Sequence, residues 1–160
     1  GEPLLQQDFV IALFEMLKKY NISTCIDTSG MFSITDKMER IINLTDIFLL
    51  DIKSINNEIC KYLTGFSNEL ELKFAKYLND KNKRIWIRQV LVPGITDKEE
   101  DLIKLKEFLD NINIEKFEFL PYHNLGKYKW EKLGLKYELE DIRVANNKDI
   151  ERAKRIMKIK

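Results

Sequence analysis

The sequence is poor in the residues that build metal sites and disulfide frameworks. Its two cysteines, Cys25 and Cys60, lie far apart and match no zinc-binding spacing, and His123 is its only histidine. No apolar run approaches the ~20 residues that a membrane-spanning helix needs, and the first residues lack the basic and apolar regions of a signal peptide. These absences argue against a secreted or membrane protein and predict a cytoplasmic one. We expect both thiols to be buried as small hydrophobic groups.

An excess of charge of one sign is also absent. The 27 Lys and Arg residues nearly balance the 26 Asp and Glu residues, and a net charge of +1 argues against a nucleic-acid or membrane partner. The length of 160 residues predicts a single domain over residues 1–160. The sequence has no nucleophile elbow, P-loop, GxGxxG fingerprint or HExxH motif, so composition and common motifs name no reaction.

Helical and strand patterns alternate along the chain. Apolar and β-branched runs predict strands at 22–27, 47–52, 83–92 and 117–120, and helical spacing predicts helices at 8–20, 35–44, 57–63, 68–79, 96–111 and from 147 to the end. Asn68 and Thr96 are predicted N-caps, and the segment 124–137 is predicted to be a loop. This alternation is typical of βαβ units, so we expect an α/β fold with a parallel sheet. Right-handed crossovers then bring all carboxyl ends of the strands to one edge.

The most informative stretch is the apolar run 47–50 and the charges that follow it. An unbroken apolar run predicts a strand buried on both faces. Asp51 and Lys53 are two residues apart and therefore point the same way. Charges at the end of a buried strand need a partner or a ligand, and parallel α/β proteins bind ligands at this end. These residues alone leave two interpretations open, a structural salt bridge and a binding site.

Polar residues also occur at the other predicted strand ends. Asp27 and Thr28 end the first strand, His123 follows the last one, and Arg88 lies inside the third. Several polar ends at one edge predict a site for a polar, partly charged small molecule. Arg88 requires an anionic partner, which is either Asp51 or a ligand carboxylate.

Six stretches carry a resemblance to a known family: GEPLL at 1–5, DTSG at 27–30, LLDIK at 49–53, KFAKYL at 73–78, WIRQVLVPG at 86–94 and LPYHNLGKYKW at 120–130. Because these stretches occur in this order, the chain resembles the glycyl-radical enzyme activases of the radical S-adenosylmethionine superfamily, of the type that acts on pyruvate formate-lyase. The resemblance covers essentially the whole chain, and its last two stretches are the most specific. It implies a partial TIM barrel of (β/α)6 type that binds S-adenosylmethionine beside a [4Fe-4S] cluster.

The resemblance also implies a reaction and a set of site residues. The cluster cleaves the cofactor to a 5′-deoxyadenosyl radical, which removes a hydrogen atom from a backbone glycine of pyruvate formate-lyase, with flavodoxin or ferredoxin as electron donor. Two groups of residues match the family's motifs, one that contacts S-adenosylmethionine and one that can hold a monovalent cation near its carboxylate. The first group is Gly1, Glu2, Asp51, Ile52, Lys53, Arg88 and His123, and the second is Asp27 and Thr28.

The family's CxxxCxxC loop, which supplies the thiolate ligands of the cluster, is absent, and Cys25 and Cys60 cannot replace it. We therefore expect the chain to be the C-terminal two-thirds of an activase without its first βα units. Such a fragment would bind no cluster, would be inactive alone, and would expose a sheet edge that favours a dimer.

Three other interpretations are weighed against this one. They are an activase for another glycyl-radical enzyme, a non-catalytic α/β module that has lost its cluster, and an aldolase-type barrel with a Schiff base at Lys53. The last is disfavoured because a Schiff base requires a neutral amine, whereas the neighbouring Asp51 stabilises the ammonium.

Overall fold

The computed structural model describes residues 1–159 and contains four parallel strands that alternate with helices, which confirms the predicted α/β class. The strands are β1 (Cys25–Thr28), β2 (Ile47–Asp51), β3 (Arg84–Leu91) and β4 (Lys116–Pro121). After a short 3-10 helix at Pro3–Gln6, the α-helices are α1 (Gln7–Lys19), α2 (Asp36–Leu44), α3 (Asn57–Thr64), α4 (Glu69–Asp80), α5 (Glu99–Asp110), α6 (Lys127–Lys132) and α7 (Asn147–Met157). Within residues 1–159, no helix combines the length and apolarity needed to cross a bilayer.

The strands lie in the sheet in the same order as in the chain. The spatial order is β1-β2-β3-β4, so each strand pairs with the preceding one in the chain. Right-handed crossovers with this order place the connecting helices on one face, as in a segment of a β/α barrel. A doubly wound sheet would reverse its strand order and carry helices on both faces. The sheet therefore has a helix-covered face and an open face.

The prediction that residues 47–50 are buried on both faces is wrong. Phe48 and Leu50 are completely buried on the helix-covered face, whereas Ile47 and Leu49 are only half-buried. Side chains alternate between the two faces of a strand, and the described residues cover only one of them. The run is unbroken because Ile47 and Leu49, on the face that the described residues leave uncovered, are apolar like Phe48 and Leu50 on the covered face.

The core lies between the sheet and the helices. Phe48 of β2 packs edge-to-face on Phe74 of α4, with ring centroids 5.9 Å apart. Gly30 lies where the chain leaves β1, with φ of +67°. A Cβ at this position would lie 2.6 Å from Leu50 Cδ1 and 3.0 Å from Phe74 Cδ1, so only glycine fits without movement of the core.

The side chains of both predicted N-cap residues bond elsewhere than to the start of their helix. Helix α5 begins at Glu99 with Lys98 at its N-cap, and Thr96 instead donates to the Val90 carbonyl and accepts from the Val92 amide, at 2.9 and 2.8 Å. Asn68 occupies the N-cap position of α4, as predicted, but its side chain makes no capping hydrogen bond and donates instead to backbone carbonyls of the turn after β2. These side chains bind backbone groups of neighbouring turns, which compete with the helix ends for them.

The predicted ends of two other segments also change. The segment 124–137, predicted to be a loop, contains the short helix α6. The last helix ends at Met157, with Lys158 in the left-handed conformation at its C-cap.

Candidate functional site

Four charged side chains meet on the open face where β1 and β2 end, beside the middle of β3. We call Asp27, Asp51, Lys53 and Arg88 the rim cluster. Arg88 lies directly opposite Asp51 in the β2–β3 register, and its Nε donates to Asp51 Oδ1 at 2.8 Å. The Arg88 Nη2 also contacts Asp27, and Lys53 Nζ lies 2.8 Å from Asp51 Oδ2. The structure thus brings together residues from three strands that the sequence spreads over 27–88.

The two ion pairs of Arg88 differ in their exposure to water. The side chains of Arg88 and Asp51 are 17% and 19% exposed, whereas Asp27 is 59% exposed. Exposed ion pairs contribute little because water screens them, so the Arg88–Asp27 contact is the weaker one. Partial burial alone would lower the pKa of Arg88, but hydrogen bonds to Asp27 and Asp51 outweigh it and raise that pKa. Asp27 is therefore the more accessible partner of the guanidinium, and Asp51 is the more enclosed one.

Glu2 ties the start of the chain to the end of β1. Its Oε1 accepts from the Thr28 hydroxyl at 2.8 Å and from the Leu4 amide at 3.2 Å. Its Oε2 accepts from the amide and hydroxyl of Ser29 at 2.9 and 3.0 Å. Gly1, which precedes it, is exposed. Two predicted site residues, Glu2 and Thr28, are therefore in direct contact, and Ser29, which was not predicted as a site residue, joins them.

The predicted residues Ile52 and His123 complete the same edge. Ile52 is completely buried, and its amide donates to the Arg88 carbonyl at 2.9 Å, which continues the β2–β3 hydrogen bonding one residue beyond β2. His123 is exposed and follows β4, the neighbour of β3. In the described part of the chain, no hydrogen bond or ion pair connects His123 to the rim cluster. Its role as a cofactor contact stays a prediction.

A residue that the sequence interpretation missed lies beneath this edge. Glu71 of α4 is completely buried, and its Oε1 accepts from the Lys53 amide at 3.2 Å. Burial raises the pKa of Glu71 to about 8, against the smaller opposing effect of the hydrogen bond from Lys53. The signal was present in the sequence, because Glu71 precedes Phe74, Ala75 and Leu78 by three, four and seven residues, the spacing of one helix face.

The two cysteines behave differently. Cys60 is completely buried, as predicted, and burial followed by the nearby Glu71 raises its pKa. The prediction for Cys25 is wrong: the residue is exposed, because its position in β1 directs it to the open face.

No group of three or more His, Cys, Asp or Glu side chains among residues 1–159 is arranged to hold a metal ion. Since a [4Fe-4S] cluster needs several thiolate ligands, the described residues do not fit one.

The rim cluster does fit a ligand that carries both charges and hydroxyl groups. A guanidinium recognises a carboxylate through paired N–H donors, and the carboxylates of the cluster can accept hydrogen bonds from ammonium or hydroxyl groups. Asp27 and Thr28, the predicted cation ligands, have protein partners here, Arg88 for the first and Glu2 for the second. Cation binding by them stays a prediction. The 2.8 Å ion pair with Asp51 engages the Lys53 amine, which gives no support to a Schiff base at this residue.

Comparison with protein families and curated proteins identifies relatives along most of the chain. A model described as "Radical SAM superfamily" matches residues 1–105. The chain is 45% identical over 163 residues to the "Pyruvate formate-lyase-activating enzyme" of Streptococcus mutans serotype c, covering 98% of this chain and 62% of that protein. It is 48% identical to the protein of the same name from Staphylococcus epidermidis, covering 97% of this chain and 64% of that protein. The chain therefore spans less than two-thirds of the length of these two relatives.

Solved structures share the fold. The crystal structure of a domain of pyruvate-formate lyase-activating enzyme from Bacteroides vulgatus superposes with a TM-score of 0.80 at 20% identity, covering 99% of this chain and 89% of that one. Streptococcus suis SuiB bound to S-adenosylmethionine superposes with a TM-score of 0.61 at 22% identity, covering 82% of this chain and 28% of that one. At these identities the similarity concerns the arrangement of strands and helices, and it agrees with a partial barrel.

Proposed function

The chain belongs to the radical SAM superfamily, and on this premise we propose that it forms the S-adenosylmethionine-binding part of an activating enzyme for a glycyl-radical enzyme. The observation that carries the proposal is the rim cluster, because it gathers two carboxylates, a guanidinium and an ammonium at the carboxyl edge of a parallel sheet. This edge is where β/α barrels bind their ligands. When bound, S-adenosylmethionine supplies the carbon–sulfur bond whose cleavage begins the chemistry of this superfamily.

The residues of this chain would bind and orient the cofactor. Arg88 would bind the carboxylate of its methionine part and exchange its exposed contact with Asp27 for the ligand. Asp51 would accept hydrogen bonds from the ribose hydroxyl groups, and Lys53 would donate to them. Glu2 and His123 would contact the cofactor from the ends of the same edge, as the family resemblance implies. Asp27, once released from Arg88, would be available with Thr28 to a monovalent cation.

The names of the relatives support a proposal for the protein partner. Curated proteins that are 45–48% identical over 97–100% of this chain carry the name pyruvate formate-lyase-activating enzyme. We propose pyruvate formate-lyase as the substrate protein on that basis, with flavodoxin or ferredoxin as the electron donor. Both interactions belong to the whole protein, because the chain spans 62–66% of those relatives and the described residues do not fit the cluster.

Calorimetric titration with S-adenosylmethionine tests the binding part of the proposal. We expect Lys53→Met to weaken the affinity about tenfold to hundredfold, the effect of removing one charged hydrogen-bond partner. Lys61→Met is the matched control, because Lys61 is an exposed lysine of α3 that pairs only with Glu58 within the described residues. Equal affinities of the two variants and the unmodified chain would show that the rim cluster does not bind the cofactor.

A further inference from the structure

Burial of the Glu71 carboxyl group costs free energy of folding. Glu71 is completely buried on the helix-covered side, and among residues 1–159 its Oε2 has no hydrogen-bond partner. A buried polar atom without a partner costs free energy, and an apolar side chain of similar size would fill the same space without this cost. Among the described residues, the carboxyl group accepts a hydrogen bond from the Lys53 amide, and the neighbouring Ser54 amide also acts on it.

That bond belongs to a set of contacts that hold the turn after β2 from below. Glu71 Oε1 accepts from the Lys53 amide at 3.2 Å. The Asn68 amide group donates to the Ser54 and Ile55 carbonyls at 3.0 and 2.8 Å. Two buried side chains at the start of α4 thus bind three successive residues of the turn. On the opposite side of the same backbone, the Lys53 ammonium lies in the rim cluster.

We propose that Glu71 is a positioning residue, which fixes the Lys53 backbone and thereby directs the Lys53 and Asp51 side chains toward the bound ligand. This inference rests on the proposed function, because it requires the rim cluster to bind S-adenosylmethionine. Glu71 does not reach the open face. It acts through the turn, in the way that groups behind a binding site orient the residues that touch the ligand.

The charge state of Glu71 decides whether it can do this. The charged or titratable groups that act on it are Lys53 and Asp51 at the end of β2 and the Cys60 thiol of α3. Burial raises the pKa of Glu71 to about 8, so the carboxyl group is neutral near pH 7. The amides of Lys53 and Ser54 and the Lys53 ammonium favour the ionised form, but they offset only part of the cost of burying its charge, to which Asp51 adds a small repulsion. Ionisation therefore destabilises the closed turn relative to one in which water hydrates the carboxylate. The neutral form is therefore the one that holds the turn in its binding geometry.

Calorimetric titration of the full chain with S-adenosylmethionine at pH 7 and pH 9 tests this. Glu71→Gln keeps an oxygen that accepts from the Lys53 amide but cannot ionise. We expect it to bind as tightly as the unmodified chain at pH 7 and about tenfold more tightly at pH 9, where only about one-tenth of Glu71 remains neutral. The amino group of the ligand titrates equally in both experiments, so the ratio of the two affinities at one pH isolates Glu71.

Two further variants separate positioning from general damage. Glu71→Leu removes the acceptor and should bind weakly at both pH values, a loss that Glu71→Gln avoids. Glu69→Gln is the matched control, because Glu69 is exposed on the same helix, and it should follow the unmodified chain. If Glu71→Leu does not fold, the comparison of Glu71→Gln with the unmodified chain still decides.

An affinity ratio that stays the same at pH 7 and pH 9 would overturn the inference, as would Glu71→Leu binding as tightly as the unmodified chain. Either result would leave the proposed function intact, because the unmodified chain would bind the cofactor. Absence of binding by the unmodified chain at both pH values would instead refute the proposed function, and this inference with it.

Discussion

The pH dependence of folding stability should change when Glu71 is replaced by glutamine. In the folded chain the pKa of Glu71 is raised from 4.5 to about 8 by burial. Between these two pH values, the folded state holds a proton that the unfolded state has released. The stability contribution of this proton is fully present below pH 4.5, is lost progressively as the pH rises to about 8, and changes no further above that.

The size of the loss follows from the same pKa values. Each pH unit between the two values lowers the free energy of unfolding by about 1.4 kcal/mol. At pH 7 the loss has an upper limit of about 3 kcal/mol, and relaxation of the buried site makes about 2 kcal/mol a realistic figure. Glutamine cannot ionise, so Glu71→Gln avoids the loss. At pH 5 the two proteins should be nearly equal, because both then carry a neutral side chain with a buried donor.

Urea unfolding at pH 5, 7 and 9, followed by tryptophan fluorescence or circular dichroism, measures this difference. We expect Glu71→Gln to exceed the unmodified chain by less than about 1 kcal/mol at pH 5 and by about 2–4 kcal/mol at pH 9. The exposed Glu69→Gln serves as the control and should show no such divergence. If the stabilities of Glu71→Gln and the unmodified chain change in parallel from pH 5 to pH 9, Glu71 does not titrate in this range, and the reasoning fails.

Two further predictions concern association and iron binding. One edge of β1 pairs with no strand among residues 1–159. We therefore expect light scattering to show a mass that rises with concentration from 19.0 kDa toward a dimer. Cys25→Lys places a charge on this edge strand and should reduce the association, whereas a constant monomer mass of the unmodified chain would contradict the prediction. Since the described residues contain no ligand set for a cluster, anaerobic reconstitution with iron and sulfide should leave far less than the ~4 iron atoms of a [4Fe-4S] cluster per chain, and a stoichiometric cluster would show that this prediction is wrong.

The order of elements could be read from local patterns. Each strand is a short run of β-branched or apolar residues, and each long helix has apolar residues at helical spacing, so neither depends on distant parts of the chain. The alternation of the two then required a parallel sheet, and all four predicted strands are present. The partners of Arg88 were partly predictable, because a cation inside an apolar strand needs an anion and Asp51 is one of the two that bind it.

What the described structure added concerns contacts between residues that are distant in sequence. Whether Cys25 is buried depended on which face of β1 is covered, and a strand sequence of alternating side chains cannot decide this. Thr96 and Asn68 resemble N-caps locally, but their side chains donate instead to carbonyl groups of β3 and of the turn after β2. Such competition is settled only when the turns pack together.

By itself, the sequence determined the elements, their parallel arrangement, the edge at which the charges gather and the family to which they point. Tertiary structure decided that Asp27 shares Arg88 with Asp51, that one face of the sheet is open, and that Glu71 lies beneath Lys53. The physical reason is that helix and strand formation depend on neighbours a few residues away, whereas burial and pairing of a charge depend on which distant groups the folded chain brings within about 3 Å of it.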